Sequence, residues 1–205
     1  MIIAFSGACH SGKTSTMQLI KDADPDNTIL LHENIRDKNI KSIDDIRKEA
    51  NEYFCFQVNV MTEKINSEKR LLQLKEHNKN NNILIDRTLA DSLFYFNTYI
   101  RFNELDTFNK LRHKIFKEEF IKTAKEHFTN VYDKIILFKP IPIEKNTDSF
   151  RPVSLDYATQ LNEFEEIERL VYNFCPGELA EQKIAMIDVI HELDLLTHLK
   201  NKLII

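Results

Sequence analysis

Gly7-Ala8-Cys9-His10-Ser11-Gly12-Lys13-Thr14 is a complete G-x-x-x-x-G-K-[ST] pattern. Two of the chain's 3 glycines fall inside it. Glycine permits the tight curvature and close approach that let successive backbone N–H groups converge on a phosphate. Lys13 is placed to reach β- and γ-phosphates, and the Thr14 hydroxyl to ligate Mg²⁺. Gly7, His10, Ser11, Gly12, Lys13, Thr14 and Ser15 are therefore the expected nucleotide-binding set. The flanks agree with this reading. Residues 2–5 form an apolar run suited to a buried strand, and 14–21 read as a helix with Met17, Leu19 and Ile20 on its apolar side. Strand, loop and helix in that order put a helix N-terminus behind the anion. Lys13 and His10 are read as solvent-facing, and Cys9 as a small filler within the loop.

Outward from this loop, four further apolar runs occupy 28–32, 83–86, 134–138 and 184–189. Their length and β-branched content favour strands. The long spacers require crossover helices, so a five-stranded parallel sheet with helices on both faces is expected, an α/β fold. Ser42 opens one helical segment, with Asp45 as an approximate capping box. Ser154 opens another, with Leu155, Ala158, Leu161, Phe164 and Ile167 as its core stripe. Residues 78–82 read as a polar turn, and 93–128 as two helices broken near Asn103. Residues 139–153 hold three of the five prolines and read as a surface lid loop after the fourth strand. No repeat or linker interrupts the chain, so 1–205 is read as one domain.

Composition narrows the classes. With 205 residues, 42% hydrophobic and 29% charged, the chain suits a globular domain with a sizeable core. A net charge of −4 argues against a protein built around a long polyanion. No apolar stretch approaches the roughly 18 residues that span a bilayer, and Met1 leads straight into the first strand without a signal peptide. Cys9, Cys55 and Cys175 lack C-x-x-C spacing and read as free thiols in a reducing cytoplasm. His191-Glu192 is followed by Leu195 where H-E-x-x-H needs its second His, so no histidine metal site is expected.

In an open parallel sheet, ligands gather at the carboxyl ends of strands. Glu33 follows the second strand, and Asp86 and Arg87 end the third, so all three point to the edge that carries the phosphate loop. An apolar strand ending in Asp suits a second Mg²⁺-binding element. Arg151, in Asp148-Ser149-Phe150-Arg151, is placed to close over a triphosphate and neutralise developing charge. Lys139 and Lys145 are competing cations in the same loop.

Taken together, these residues resemble the kinase branch of the P-loop proteins, the nucleoside and nucleoside-monophosphate kinases. The resemblance is in particular to kinases of the nicotinamide-riboside type and their ATPase-like relatives. Glu33 and Arg36 match that group's E-x-x-R element, with Gln57 as the Gln that follows on a helix. Asp86, Arg87, Asp91 and Tyr95 follow its D-R…D…Y element in order. Asp91 stands where the similar thymidylate-kinase signature has Ser. Asp148 and Arg151 resemble the lid's D-x-x-R.

The resemblance implies the P-loop NTPase fold with a lid, and MgATP organised by Lys13, Thr14 and Asp86. It implies Glu33 as acceptor contact or general base. It also implies Arg36, Arg87, Gln57 and Asp91 around the acceptor, with Lys13, Glu33, Arg87 and Arg151 carrying phosphoryl transfer. Arg36 with Arg87 offers two cations and tilts the acceptor toward a nucleoside monophosphate over a nucleoside. The expected partners are this small molecule and a second copy of the chain as a homodimer, with no membrane and no nucleic acid. One rival is a kinase of nucleic-acid 5′ ends or modified bases, which the negative charge does not encourage. The other is a nucleotide-binding regulatory protein, disfavoured because no N-K-x-D base-reading element is found.

Overall fold

A computed structural model describes residues 1–32, 43–77, 81–142 and 156–187. The elements run β1 (Ile2–Gly7), α1 (Lys13–Ala23), β2 (Thr28–Leu31), α2 (Ile43–Arg47), α3 (Ala50–His77) and β3 (Asn82–Asp86). They continue as α4 (Leu89–Tyr99), a 3₁₀ turn at Phe102–Glu104, α5 (Thr107–Asn130), β4 (Lys134–Phe138), α6 (Tyr157–Phe174), α7 (Glu178–Lys183) and β5 (Ile184–Ile187). The strands form one parallel sheet in the order β2-β3-β1-β4-β5. The five apolar runs thus become the five strands. The break between the helices after β3 falls at 100–106, as the sequence predicts.

The period-2 alternation of β1 explains both layers. Ile2 and Ala4 point to the face shared with Ile83, Ile85, Ile135 and Leu137, which packs against residues of α3, α4, α5 and α6. Ile3 and Phe5 point the other way, with Leu84, Ile136 and Phe138, toward Met17 and Ile20 of α1. With helices on both faces, the central strands have no polar side, and this is why they read as continuous apolar runs.

The last long helix departs from expectation. The N-cap of α6 is Asp156, whose carboxylate accepts the Thr159 N–H at 2.7 Å; Ser154 and Leu155 lie outside the described residues. Its buried face is Gln160, Glu163, Phe164, Ile167, Val171 and Phe174, while Ala158 and Leu161 are exposed. The reason is geometric. A strict three-residue step falls about 60° short of a full turn each time, so the stripe spirals off the core face. Ser42, the other proposed helix start, also lies outside the described residues, before α2.

Candidate active site

The loop after β1 turns through three positive-φ residues, Gly7 (φ 134), His10 (φ 58) and Gly12 (φ 84). Gly7 is required by close approach: a Cβ there would lie 2.4 Å from the Phe138 carbonyl oxygen of β4. Gly12 is the left-handed N-cap of α1, which opens with Lys13. Contrary to the solvent-facing reading, Lys13 is only 5% exposed. Its Nζ donates to the carbonyls of Gly7 (2.8 Å) and Ala8 (2.6 Å) and to Ser11 Oγ (3.1 Å). Burial pushes its pKa down, and the Arg87 guanidinium adds to this. His10 is half-buried rather than exposed, Ser11 and Cys9 are buried, and Thr14 and Ser15 lie exposed on the first turn of α1.

The end of β3 meets this loop. Phe5 pairs with Asp86 in register, and the Thr14 hydroxyl donates to Asp86 Oδ2 at 3.2 Å. Hydroxyl and carboxylate are hard oxygen donors, side by side at the sheet edge, and they fit a Mg²⁺ ion that keeps most of its waters and takes one or two protein ligands. Among the described residues, no three His, Cys, Asp or Glu side chains converge on one point, and a Mg²⁺–nucleotide site does not need them to.

Arg87 follows at φ 68 and is buried. Its Nη2 lies 3.6 Å from Cys9 Sγ, and its guanidinium covers the Tyr95 ring at 4.8 Å. Next, Thr88 caps α4 in a capping box with Asp91. Asp91 is 0% exposed and accepts from Ser6 Oγ, the Gly7 N–H and both the N–H and the hydroxyl of Thr88. Its carboxylate is occupied in tying the β3–α4 turn to the phosphate loop.

Behind the loop, α2, α3, α4 and α6 line an aromatic and polar region. Tyr95 and Tyr99 stack with centroids 6.0 Å apart at 11°. Arg47 covers the Tyr99 ring at 3.7 Å and lies 5.8 Å from that of Tyr53. Gln57 is buried and donates to the Tyr53 hydroxyl at 2.9 Å. Glu163, on the buried face of α6, accepts the Tyr99 hydroxyl at 3.1 Å and faces the Cys9 N–H at 3.5 Å. Burial raises the Tyr95 and Tyr99 hydroxyl pKa values, with Arg87 opposing at Tyr95 and Glu163 reinforcing at Tyr99, so both remain donors at neutral pH.

The structure therefore brings Lys13, Thr14, Asp86 and Arg87 together, with Gln57 farther along the same lining. Glu33, Arg36, Lys145, Asp148 and Arg151 lie outside the described residues. Sequence reasoning missed Arg47, Tyr53, Tyr99 and Glu163. The signal for Glu163 was a carboxylate on the buried side of α6, legible only once that helix is phased correctly.

No protein-family model matches this chain, and no curated protein matches its sequence. Solved structures do share its fold. A deoxyadenosine kinase from M. mycoides with bound dATP is 15% identical, with a TM-score of 0.56 and full coverage of both chains. The same enzyme with bound dCTP is 16% identical, and with the products dCMP and a flexible dCDP 18% identical. For both, the TM-score is 0.60, covering 99% of this chain and 98% of that one. The P-loop α/β fold expected from the sequence is thus the fold of these kinases along the length of the chain. Among the described residues, no helix is long and apolar enough to cross a membrane.

Proposed function

We propose that this chain, as one domain over 1–205, is an ATP-dependent kinase that phosphorylates a nucleoside or nucleoside monophosphate. One observation carries the reading. The ends of β1 and β3 gather Lys13, Thr14, Asp86 and Arg87 at one sheet edge. ATP with Mg²⁺ is the phosphoryl donor suited to Lys13, Thr14 and Asp86. Phosphoryl transfer needs positioning and charge neutralisation more than covalent help, and these residue types supply both. Arg87, with Arg36 and with Arg151 from the lid, supplies positive charge for the acceptor side and the transferring group. Glu33 accepts the proton of the acceptor hydroxyl. Asp91 positions the loop.

The acceptor we favour is a nucleoside. The tyrosines and Gln57 beside the loop suit a flat, uncharged base and hydroxyl groups, and the structural neighbours are named deoxyadenosine kinases. A nucleoside monophosphate is the second acceptor, supported by Arg87 and Arg36 together. The nearer kinship to nicotinamide-riboside-type kinases remains part of this proposal. It rests on Glu33, Arg36 and the lid residues, as does a cytoplasmic, homodimeric enzyme on the composition and resemblance above.

The test is transfer of the ATP γ-phosphate to a panel of ribo- and deoxyribonucleosides, their monophosphates and oligonucleotide 5′ ends. Transfer to one nucleoside or monophosphate is expected. Glu33→Gln should then keep ATP affinity and lose about 10²–10⁴-fold in kcat, the usual cost of a lost general base. Transfer to no small molecule on the panel, or only to 5′ ends, would overturn the reading.

A further inference from the structure

Beneath the turn between β3 and α4 lies a buried group of charges that the chemistry above does not use. Lys64 and Glu68, one turn apart on α3, pair at 3.1 Å through Nζ and Oε1. Lys64 Nζ also donates to the Asp86 carbonyl at 3.0 Å. The other carboxylate oxygen, Glu68 Oε2, accepts the Tyr132 hydroxyl at 2.8 Å and lies 2.9 Å from His127 Nδ1. The Tyr132 hydroxyl in turn accepts the Leu89 N–H at 3.2 Å. All four side chains are buried, and Glu68 is completely so.

A buried ion pair is often no more stabilising than apolar residues of the same volume, so packing alone does not account for this one. What the group grips is the turn. One end holds the carbonyl of Asp86, and the other the N–H of Leu89. Between them is Arg87 at φ 68, a conformation costly for a residue with a Cβ and kept only where its surroundings over-determine it. Asp91 fixes the same turn from the loop side, through Thr88 and Gly7. The turn is held from both directions.

We infer that Lys64 and Glu68, with Tyr132, are positioning residues for phosphoryl transfer. They clamp the β3–α4 turn so that the Asp86 carboxylate stays beside Thr14 and the Arg87 guanidinium beside Cys9. The inference rests on the proposed roles of Asp86 and Arg87.

Removing one partner would strand a charge in the core, so the first variant, Lys64→Met/Glu68→Gln, removes both. Tyr132→Phe, nearly isosteric, removes only the hydroxyl that receives Leu89 and decides the matter if the double variant does not fold. Each is compared with wild type and with Asp86→Asn by four readouts. These are thermal melting, metal-free binding of a fluorescent ATP analogue, the Mg²⁺ concentration for half-maximal binding of that analogue, and kcat with KM. Supporting residues behind a metal ligand typically matter by roughly 10–100-fold, so the double variant should need about tenfold more Mg²⁺ and lose about tenfold in kcat. Metal-free binding should stay within about twofold, and Tyr132→Phe should move the same readouts in the same direction by less. Wild-type Mg²⁺ dependence and kcat in a folded variant would overturn the inference, as would equal losses with and without Mg²⁺. If wild type transfers phosphate to nothing on the panel, the kinase reading falls alone, because the Mg²⁺ titration still shows whether the clamp sets Asp86.

Discussion

The carboxyl ends of β1 and β3 make the same sharp exit from a buried strand toward a helix, and they make it by opposite means. After β1, glycines take two of the three positive-φ positions, Gly7 and Gly12, with His10 at the third, and the loop's own lysine folds back onto its carbonyls. After β3 there is no glycine. Arg87 carries φ 68 itself, braced by Asp91 on one side and by Lys64 and Tyr132 on the other. On the proposed function, the first turn lets backbone approach an anion, and Gly7 packs against β4 where a Cβ has no room. The second presents a guanidinium, so a side chain has to be present there and its neighbours carry the strain. A glycine-poor chain thus uses glycine where bare backbone is needed and buried polar side chains where a functional side chain is.

The most damaging way to break the first turn is Lys13→Ala. Phosphoryl transfer should fall by about 10³-fold or more, the scale of losing a preorganised cation at developing charge. Because Lys13 is buried and donates to three loop acceptors, stability should fall too, by about 1–3 kcal/mol. Steady-state transfer and urea unfolding check the two halves separately. Transfer near wild type would remove Lys13 from the reaction.

Gly7→Ala attacks the same turn through backbone alone. At φ 134, with Phe138 oxygen 2.4 Å from the new Cβ, strand β4 must move. A loss on the order of 3 kcal/mol is expected in denaturant unfolding. A loss below about 1 kcal/mol would mean that the β1–β4 edge relaxes freely, and that glycine is not what this turn depends on.

The two turns also differ in how far the sequence discloses them. The strands are legible because burial on both faces demands continuous apolar runs, and the phosphate loop because its residue types act through backbone conformation within eight positions. The brace under Arg87 is not. Lys64 and Glu68 stand four residues apart on α3 with nothing local to mark them, and their partners His127 and Tyr132 are 59 and 64 residues beyond Glu68. Glu163 was hidden for a related reason, since the three-residue stripe assigned to α6 pointed it away from the core. Asp91 was visible as a residue but not as a cap, because the capping box needs Thr88 at the true start of α4. Local chemistry is written in the sequence, whereas charges meeting across the fold become visible only once helices are phased and packed.

The smallest effect sharpens the comparison through pH. Burial pushes the Glu68 carboxyl up, but Lys64, His127 and Tyr132 outweigh it, and its pKa lies below the ordinary 4.5. A carboxyl depressed in the folded state takes up its proton in the unfolded chain first as pH falls. Its stabilisation is therefore complete above about 4.5 and is lost as pH drops through the folded value. One such proton contributes a slope of at most about 1.4 kcal/mol per pH unit. Lys13, depressed by burial and by Arg87, has the same sign in a different window: stability rises with pH between its folded pKa and 10.5. Glu68 of the β3 turn thus contributes on the acid side and Lys13 of the β1 loop on the alkaline side, each beside other shifted groups. Asp133 is also held low, against its burial, by Lys75 and the Ile2 N–H, but it titrates alike in both proteins compared and cancels. Urea unfolding between about pH 3 and 6 should show a shallower acid slope in Glu68→Gln than in wild type, whatever the offset between the curves. Parallel acid limbs would mean that the Glu68 carboxyl has the same pKa folded and unfolded, and a steeper slope in Glu68→Gln would mean that it is neutral in the folded protein, with the β3 turn braced by neutral hydrogen bonds alone.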